Sequence, residues 1–95
     1  LFQNSLMLDF FKVKGNSMLP ALKDGQYVLT KNFKDYKLGE IVIINSSSNG
    51  YLIKRISSIC GSSIRVKGDN LKLESSACDQ NYSIDEIYGK VISVI

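Results

Sequence analysis

The chain has 95 residues, with 12 lysines and arginines against 9 aspartates and glutamates, and its net charge is +3. This length suits a single domain, and the complete absence of histidine excludes a Ser-His-Asp triad and any imidazole ligand for a metal. With only two cysteines, whose spacing is not that of a zinc site, we expect neither a metal nor another cofactor.

The first half of the chain is predicted to form short strands separated by turns. Phe10–Lys14 is a predicted strand that leads into a serine-containing turn, and Met18–Leu22 is predicted to be a turn or one helical turn. The turn signal Asp24-Gly25 precedes a predicted strand at Tyr27–Thr30. The continuous apolar run Ile41–Ile44 predicts a strand that is covered on both faces.

The second half continues this pattern. A polar hairpin loop, residues 45–50, connects the apolar run to a predicted strand at Tyr51–Ile56. Ile64–Val66 is another predicted strand, residues 71–83 are expected to be irregular, and Tyr88–Ile95 is expected to close the sheet. Together these elements predict a mainly β fold in one domain, either a small bent antiparallel sheet or a partly closed β-barrel.

Lys54 is the first candidate functional residue. In a strand it shares one face with Leu52 and Ile56. These apolar neighbours predict that the side chain is buried away from water. Loss of hydration disfavours the charged ammonium, so a neutral amine could be available as a base. The alternative is a structural lysine whose stem is buried and whose ammonium snorkels into water. Considered alone, the strand favours the snorkelling alternative.

Ser17 is the second candidate. It lies between Gly15 and Pro20, and a serine in such a stretch is by itself typical of turn chemistry. Met18, next to it, is by itself typical of a core residue. In a chain without histidine, however, a lysine is the most plausible base for a serine nucleophile. Ser17 and Lys54 therefore form a candidate nucleophile-base pair.

The order of the motifs resembles that of the serine-lysine endopeptidases, which comprise type I signal peptidases and the self-cleaving repressors of the SOS response. The matching residues span nearly the whole chain and are Val13, Gly15, Ser17, Met18, Pro20, Leu22, Asp24-Gly25, Gly39–Val42, Ile53–Ile56, Val66, Gly68–Asn70 and Gly89–Val91. The resemblance implies that Ser17 is the nucleophile and Lys54 the general base. It also implies a small, mainly antiparallel β fold, with residues 1–95 as one catalytic domain.

The same resemblance extends to further site residues and to the substrate. We expect four residues to bind the oxyanion through the backbone or to shape the site: Gly15, Asn16, Met18 and Pro20. Supporting roles are expected for Gly68, Asp69 and Asn70. The expected substrate is a protein or peptide, bound extended beside Phe10–Lys14 or a neighbouring strand. Small residues are expected next to the cleaved bond.

Two departures from the family pattern concern the branch of the superfamily. Gly25 is followed by Gln26 where these families usually have aspartate, and residues 71–80 lack the Ser-x-Asp-Ser-Arg motif usual in signal peptidases. The favoured hypothesis is a signal-peptidase-like endopeptidase that cleaves a precursor protein through an acyl-enzyme. The alternatives are the self-cleavage and dimerisation domain of an SOS-type repressor, and a non-catalytic β-domain for peptide binding or dimerisation.

Partners and location follow from charge and hydropathy. Residues 31–37 interleave lysines with aromatic residues, which we interpret first as a solvated loop, then as a membrane contact, and only third as a nucleic-acid surface. No apolar run reaches the 18 or so residues that span a bilayer. One interpretation of residues 1–9 is a remnant of an upstream segment that could carry a membrane anchor. An anchor would give a membrane-associated, extracytoplasmic active site, and without one the expected location is the cytoplasm.

Overall fold

The computed structural model describes residues 7–32, 35–48, 50–73 and 81–95, and their strands form one antiparallel sheet. The seven strands are β1 (Leu8–Lys12), β2 (Tyr27–Lys31), β3 (Ile41–Ser46), β4 (Gly50–Cys60), β5 (Ser63–Lys67), β6 (Asn81–Ser83) and β7 (Ile87–Val94). Their order in the sheet is β1-β2-β7-β3-β4-β5-β6, so β1 and β6 are the two edges of an open sheet. The described ranges contain one short 3-10 turn, Ile84–Glu86, and no α-helix. The predicted mainly β fold is confirmed.

The central hairpin forms where the apolar pattern predicts it. β3 pairs with β4 in a register that joins Ile41 to Arg55 and Ile44 to Leu52. Val42 and Ile44 are buried in the larger core cluster, and Ile43, on the opposite face, is also only 2% exposed. An apolar residue at every position is required here because both faces of β3 are covered.

Two apolar clusters stabilise the sheet. The larger cluster consists of Val42, Ile44, Ile56, Ile64, Val66, Tyr82 and Ile87. The smaller cluster consists of Val13, Met18, Leu22 and Val28. Residues of the serine segment, Met18 and Leu22, are therefore anchored in a core of their own, and this core fixes the position of the turn that carries Ser17.

Two predictions about the C-terminal region were wrong. Residues 71–83 were expected to be irregular, but Asn81–Ser83 form β6, because Tyr82 pairs with Ile64 and is buried in the larger cluster. Residues 74–80 lie outside the described residues. The last strand does not close the sheet at an edge: β7 lies between β2 and β3 and pairs with both. It thereby joins the two halves of the sheet.

β4 is longer than the pattern predicts. It continues past Ile56 to Cys60, with a bulge between Ile56 and Ser58. Cys60 is an exposed free thiol, and Cys78 lies outside the described residues. In the described parts of the chain, no helix has the length and apolar character needed to cross a membrane.

Candidate active site

Ser17 lies on a turn that is held by backbone hydrogen bonds and by core packing. Gly15 has a φ of +82°, a conformation that favours glycine, and its N–H donates to Asp24 Oδ1 at 2.7 Å. Met18, which follows the serine, is fully buried. The Leu22 N–H donates to the Met18 carbonyl at 2.9 Å, and Met18–Leu22, predicted to be a turn or one helical turn, forms a turn. Ser17 itself is half-buried on this rigid segment.

Lys54 is buried in the middle of β4. It is 4% exposed, next to Ile56 at 2%, and it pairs with Val42 on β3. Such burial leaves little room for an ammonium in bulk water, so the structure does not support the snorkelling alternative. Among the described residues, no carboxylate forms an ion pair with Lys54. The cost of burying a charge here is therefore not offset by a described acidic partner.

Ser17 and Lys54 line the same cavity, whose volume is about 440 Å³. Gly68 lies against both: a Cβ atom on Gly68 would be 2.7 Å from the Ser17 carbonyl oxygen and 3.5 Å from Lys54 Nζ. The backbone after β5 can approach the pair this closely only because residue 68 has no side chain. Among the hydrogen bonds of the described residues, none joins Ser17 Oγ to Lys54 Nζ.

Asn70 holds the segment after β5 against the serine turn. Its backbone N–H donates to the Ser17 carbonyl at 2.9 Å, and its side-chain Nδ2 donates to the Asn16 carbonyl, also at 2.9 Å. Gly68 and Asn70, both predicted as supporting residues, thus lie beside Ser17. Asn16 takes part through its main chain rather than through its side chain in these contacts.

Asp69 links the same segment to β4. Arg55 Nε donates to Asp69 Oδ1 at 2.9 Å, and Arg55 Nη2 donates to Asp69 Oδ2 at 2.7 Å. The hydrogen bonds from Arg55 hold the pKa of Asp69 below its usual range, although partial burial opposes this effect. Arg55 Nη1 also donates to the Gly39 carbonyl at 2.7 Å. Arg55 immediately follows Lys54, so this bidentate ion pair fixes β4 to the segment that contacts Ser17.

The remaining predicted residues differ in what they contact. Met18 packs in the smaller core and Gly15 supplies backbone conformation, as described above. Pro20 is exposed, follows a cis peptide bond from Leu19 and does not line the cavity. Its role in shaping the site stays a prediction. The part of the chain that the structure describes contains no cluster of three metal-binding side chains.

Several cavity residues were not singled out by the sequence pattern. The lining of this cavity also includes Phe11 and Tyr51, whose rings lie 5.4 Å apart. Tyr88 contacts both rings, at 5.1 Å from Phe11 and 5.8 Å from Tyr51. These three residues come from β1, β4 and β7. They are far apart in sequence and meet because β7 lies between β2 and β3 in the sheet. No local signal in the sequence indicates this aromatic cluster.

The chain is similar in sequence to known proteins. A family model described as "Signal peptidase, peptidase S26" matches residues 1–90. The chain is 30% identical over 91 residues to signal peptidase IB of Staphylococcus aureus strain COL, covering 87% of this chain and 47% of that protein. It is also 30% identical over 86 residues to signal peptidase I of Bacillus amyloliquefaciens, covering 86% of this chain and 45% of that protein. The chain thus spans about half the length of these curated relatives.

Proposed function

Because this chain belongs to the signal peptidase family, peptidase S26, we propose that it is a serine endopeptidase that cleaves a peptide bond in a precursor protein. The observation that carries the proposal is that Ser17 and buried Lys54 line one cavity, while Gly68, which has no side chain, lies against both residues. Serine-lysine chemistry requires a serine hydroxyl, a buried amine, and a surrounding backbone that lets the two come close.

In the proposed mechanism, the neutral amine of Lys54 accepts the proton of the Ser17 hydroxyl while the serine oxygen attacks the peptide carbonyl. The proton then passes from Lys54 to the leaving amine as the peptide C–N bond breaks, which leaves an acyl-enzyme on Ser17. A water molecule, deprotonated by the same lysine, then attacks the ester. Lys54 returns this proton to Ser17 Oγ as the ester C–O bond breaks and the second product leaves. Lys54 therefore acts twice as a base and twice as an acid.

The oxyanion would be bound by the backbone N–H of Ser17. Within the described residues, no protein acceptor takes the hydrogen of this N–H. A preorganised donor that points at the developing charge stabilises the transition state more than the ground state. The contact of the Asn70 N–H with the Ser17 carbonyl supports this role, because it fixes the peptide plane after Ser17 and so the orientation of the turn.

The substrate would bind as an extended strand along the outer edge of β1, whose one partner among the described strands is β2. The main chain of Val13 points toward the β2 side: its N–H donates to the Gln26 carbonyl at 2.7 Å, and its carbonyl accepts from the Gly25 N–H at 2.8 Å. Successive residues in an extended chain point these groups to alternate sides, so those of Lys12 and Lys14 point to the open edge. A peptide can add to such an edge through main-chain hydrogen bonds.

The proposal is tested by trapping the acyl-enzyme. A precursor peptide with small residues next to the expected cleavage position is mixed with the protein, quenched in acid and analysed by intact-protein mass spectrometry. We expect an adduct with the mass of the N-terminal product, which peptide mapping assigns to Ser17. Ser17→Ala should form no adduct, and the exposed Ser47→Ala variant should form it normally. Cleavage that persists in folded Ser17→Ala would contradict the proposal.

A further inference from the structure

The cavity that contains Ser17 and Lys54 carries an unbalanced charge. Among the described residues, three lysines line it, Lys12, Lys14 and Lys54, and no aspartate or glutamate does. A second cavity has the opposite character: its described lining includes Asp9, Asp85 and Glu86 and no lysine or arginine. The basic lining is therefore a local feature rather than a consequence of the net charge of +3.

Lys12 and Lys14 lie on the outward side of the β1 segment. Val13, between them, is 3% exposed and packs in the smaller core, whereas both lysines are exposed. Phe10 is on the same outward side and is 61% exposed. In the described part of the chain, neither lysine forms an ion pair with a carboxylate. Both ammonium groups are therefore available to a ligand at the rim of the cavity.

The side chains of an extended peptide alternate between its two faces, and this alternation shows which substrate residue would face Lys12 and Lys14. In an extended peptide along β1, alternate side chains point toward the side of Phe11 and Val13, and the others point toward the side of Lys12 and Lys14. If two small residues enter the cavity on the Phe11 side, the residue between them faces the lysines. Side chains on paired strands lie about 4.5 to 5.5 Å apart at Cβ, within reach of an ion pair.

We propose that Lys12 and Lys14 select substrates with an acidic side chain between the two small residues that precede the cleaved bond. This inference rests on the proposed function and names a class of substrate for it. The charge of the rim would also raise the encounter rate of such peptides, because a basic cleft attracts an acidic ligand and repels a basic one. Both effects weaken with added salt.

The test compares three peptides that differ only at the residue X of an Ala-X-Ala segment before the cleaved bond, where X is Glu, Gln or Lys. For the wild type at low salt, we expect kcat/KM for the Glu peptide to exceed that for the Gln peptide about two- to fivefold, the range expected for cross-strand charge pairs. The Lys peptide should be the poorest substrate. In the Lys12→Gln/Lys14→Gln variant the Glu-to-Gln ratio should fall to about one.

A matched control separates this effect from net charge. Lys23 and Lys37 are exposed and do not line the cavity, so Lys23→Gln/Lys37→Gln, which removes the same two charges, should keep the wild-type ratio. A wild-type ratio of one, or a ratio that survives the double substitution, would overturn the inference. Cleavage of the Gln peptide by wild type and not by Ser17→Ala would leave the proposed function intact in that case.

Binding measurements keep the inference testable if cleavage is slow. The anisotropy of labelled Glu and Gln peptides with Ser17→Ala should give the same preference in Kd, and Ser17→Ala/Lys12→Gln/Lys14→Gln should lose it. The competing explanation, that the two lysines bind a membrane surface, is tested by measuring binding to vesicles that contain anionic lipid. If the double lysine variant loses vesicle binding while the peptide ratio does not change, the lysines serve a membrane surface and the substrate proposal is wrong.

Discussion

Two lysines are buried in this small sheet, and their surroundings differ. Lys90 on β7 is 7% exposed, and its Nζ donates to the Asp35 carbonyl at 2.9 Å, to Asp35 Oδ1 at 3.0 Å and to Glu40 Oε2 at 3.1 Å. Burial by itself would lower the pKa of Lys90, but the hydrogen bonds and charges of the two carboxylates outweigh it and raise that pKa. Lys54 is 4% exposed and, among the described residues, has no such acidic partner.

The comparison shows that burial alone does not identify a reactive lysine. The environment of Lys90 stabilises its ammonium, as expected of a structural cation. The environment of Lys54 desolvates the side chain without a described counter-charge, and it lies beside Ser17 and Gly68. A site that keeps an uncompensated polar group in this way is a functional-site candidate, because folding stability alone would not favour it.

Apart from changes to Ser17 and Lys54 themselves, the largest expected effect comes from closing the approach to Lys54. In Gly68→Ala the new Cβ would lie 2.7 Å from the Ser17 carbonyl oxygen, so either the serine turn or the segment after β5 must move. We expect kcat/KM to fall by about 100-fold, as for other displacements of about 1 Å at reacting groups. The measurement is peptide cleavage by folded protein.

Gly89→Ala is the matched control near Lys90. Its Cβ would lie 2.7 Å from the Lys31 carbonyl oxygen, a clash of the same size in the other region. We expect this variant to lose stability in thermal unfolding while its folded fraction keeps most of its activity. Comparable loss of kcat/KM per folded molecule in both variants would contradict the separate roles of the two regions.

Replacing each lysine by methionine tests the comparison through stability. Lys54→Met replaces an amine in apolar surroundings by an apolar chain of similar length, so Tm should stay within about 4 °C of the wild type or rise. Lys90→Met leaves Asp35 and Glu40 without their shared cation, so Tm should fall by about 5 °C or more. The reverse order of the two Tm values would show that Lys54 is the structural lysine.

Acid should weaken both regions through carboxylates whose pKa is lowered. Hydrogen bonding to Lys90 lowers the pKa of Asp35, and hydrogen bonding to Arg55 lowers that of Asp69. A carboxyl group with a lowered folded-state pKa stabilises the fold above its unfolded pKa of about 3.9 and loses this contribution as pH falls through the folded value. Urea unfolding below about pH 4 should therefore be less pH-dependent in Asp69→Asn than in the wild type. An unchanged slope would contradict the link between Asp69 and Arg55.

The smallest expected effect concerns Tyr36, beside the Lys90 network. It packs against the larger core, and within the described residues its buried hydroxyl has no hydrogen-bond partner. Burial also raises the pKa of this hydroxyl. Because an unsatisfied buried hydroxyl is unfavourable, Tyr36→Phe should raise the free energy of unfolding by about 1 kcal/mol. A loss of stability in urea unfolding would mean that the hydroxyl makes a favourable contact.

The sequence predicts the features that depend on neighbours along the chain. The Ile41–Ile44 strand, its hairpin with Tyr51–Ile56 and the turn after Ser17 follow from apolar runs, turn residues and strand alternation. The ordered serine and lysine motifs also predict which two residues line one cavity.

The remaining features depend on contacts between distant segments. The place of β7 at the centre of the sheet follows from pairing with β2 and β3, which no local pattern encodes. The partners of Lys90 lie about 50 positions away along the chain, at Asp35 and Glu40. The basic rim of the cavity likewise becomes visible only when Lys12 and Lys14 are placed beside Ser17 and Lys54.

The most direct test of the central claim is the activity of Lys54→Arg beside that of Lys90→Arg, measured as cleavage of a precursor peptide across pH. Arginine keeps the positive charge, but its guanidinium cannot be deprotonated at a usable pH. We predict that folded Lys54→Arg loses cleavage nearly as completely as Ser17→Ala, while Lys90→Arg retains it. Substantial cleavage by folded Lys54→Arg would contradict the claim that Lys54 is the base.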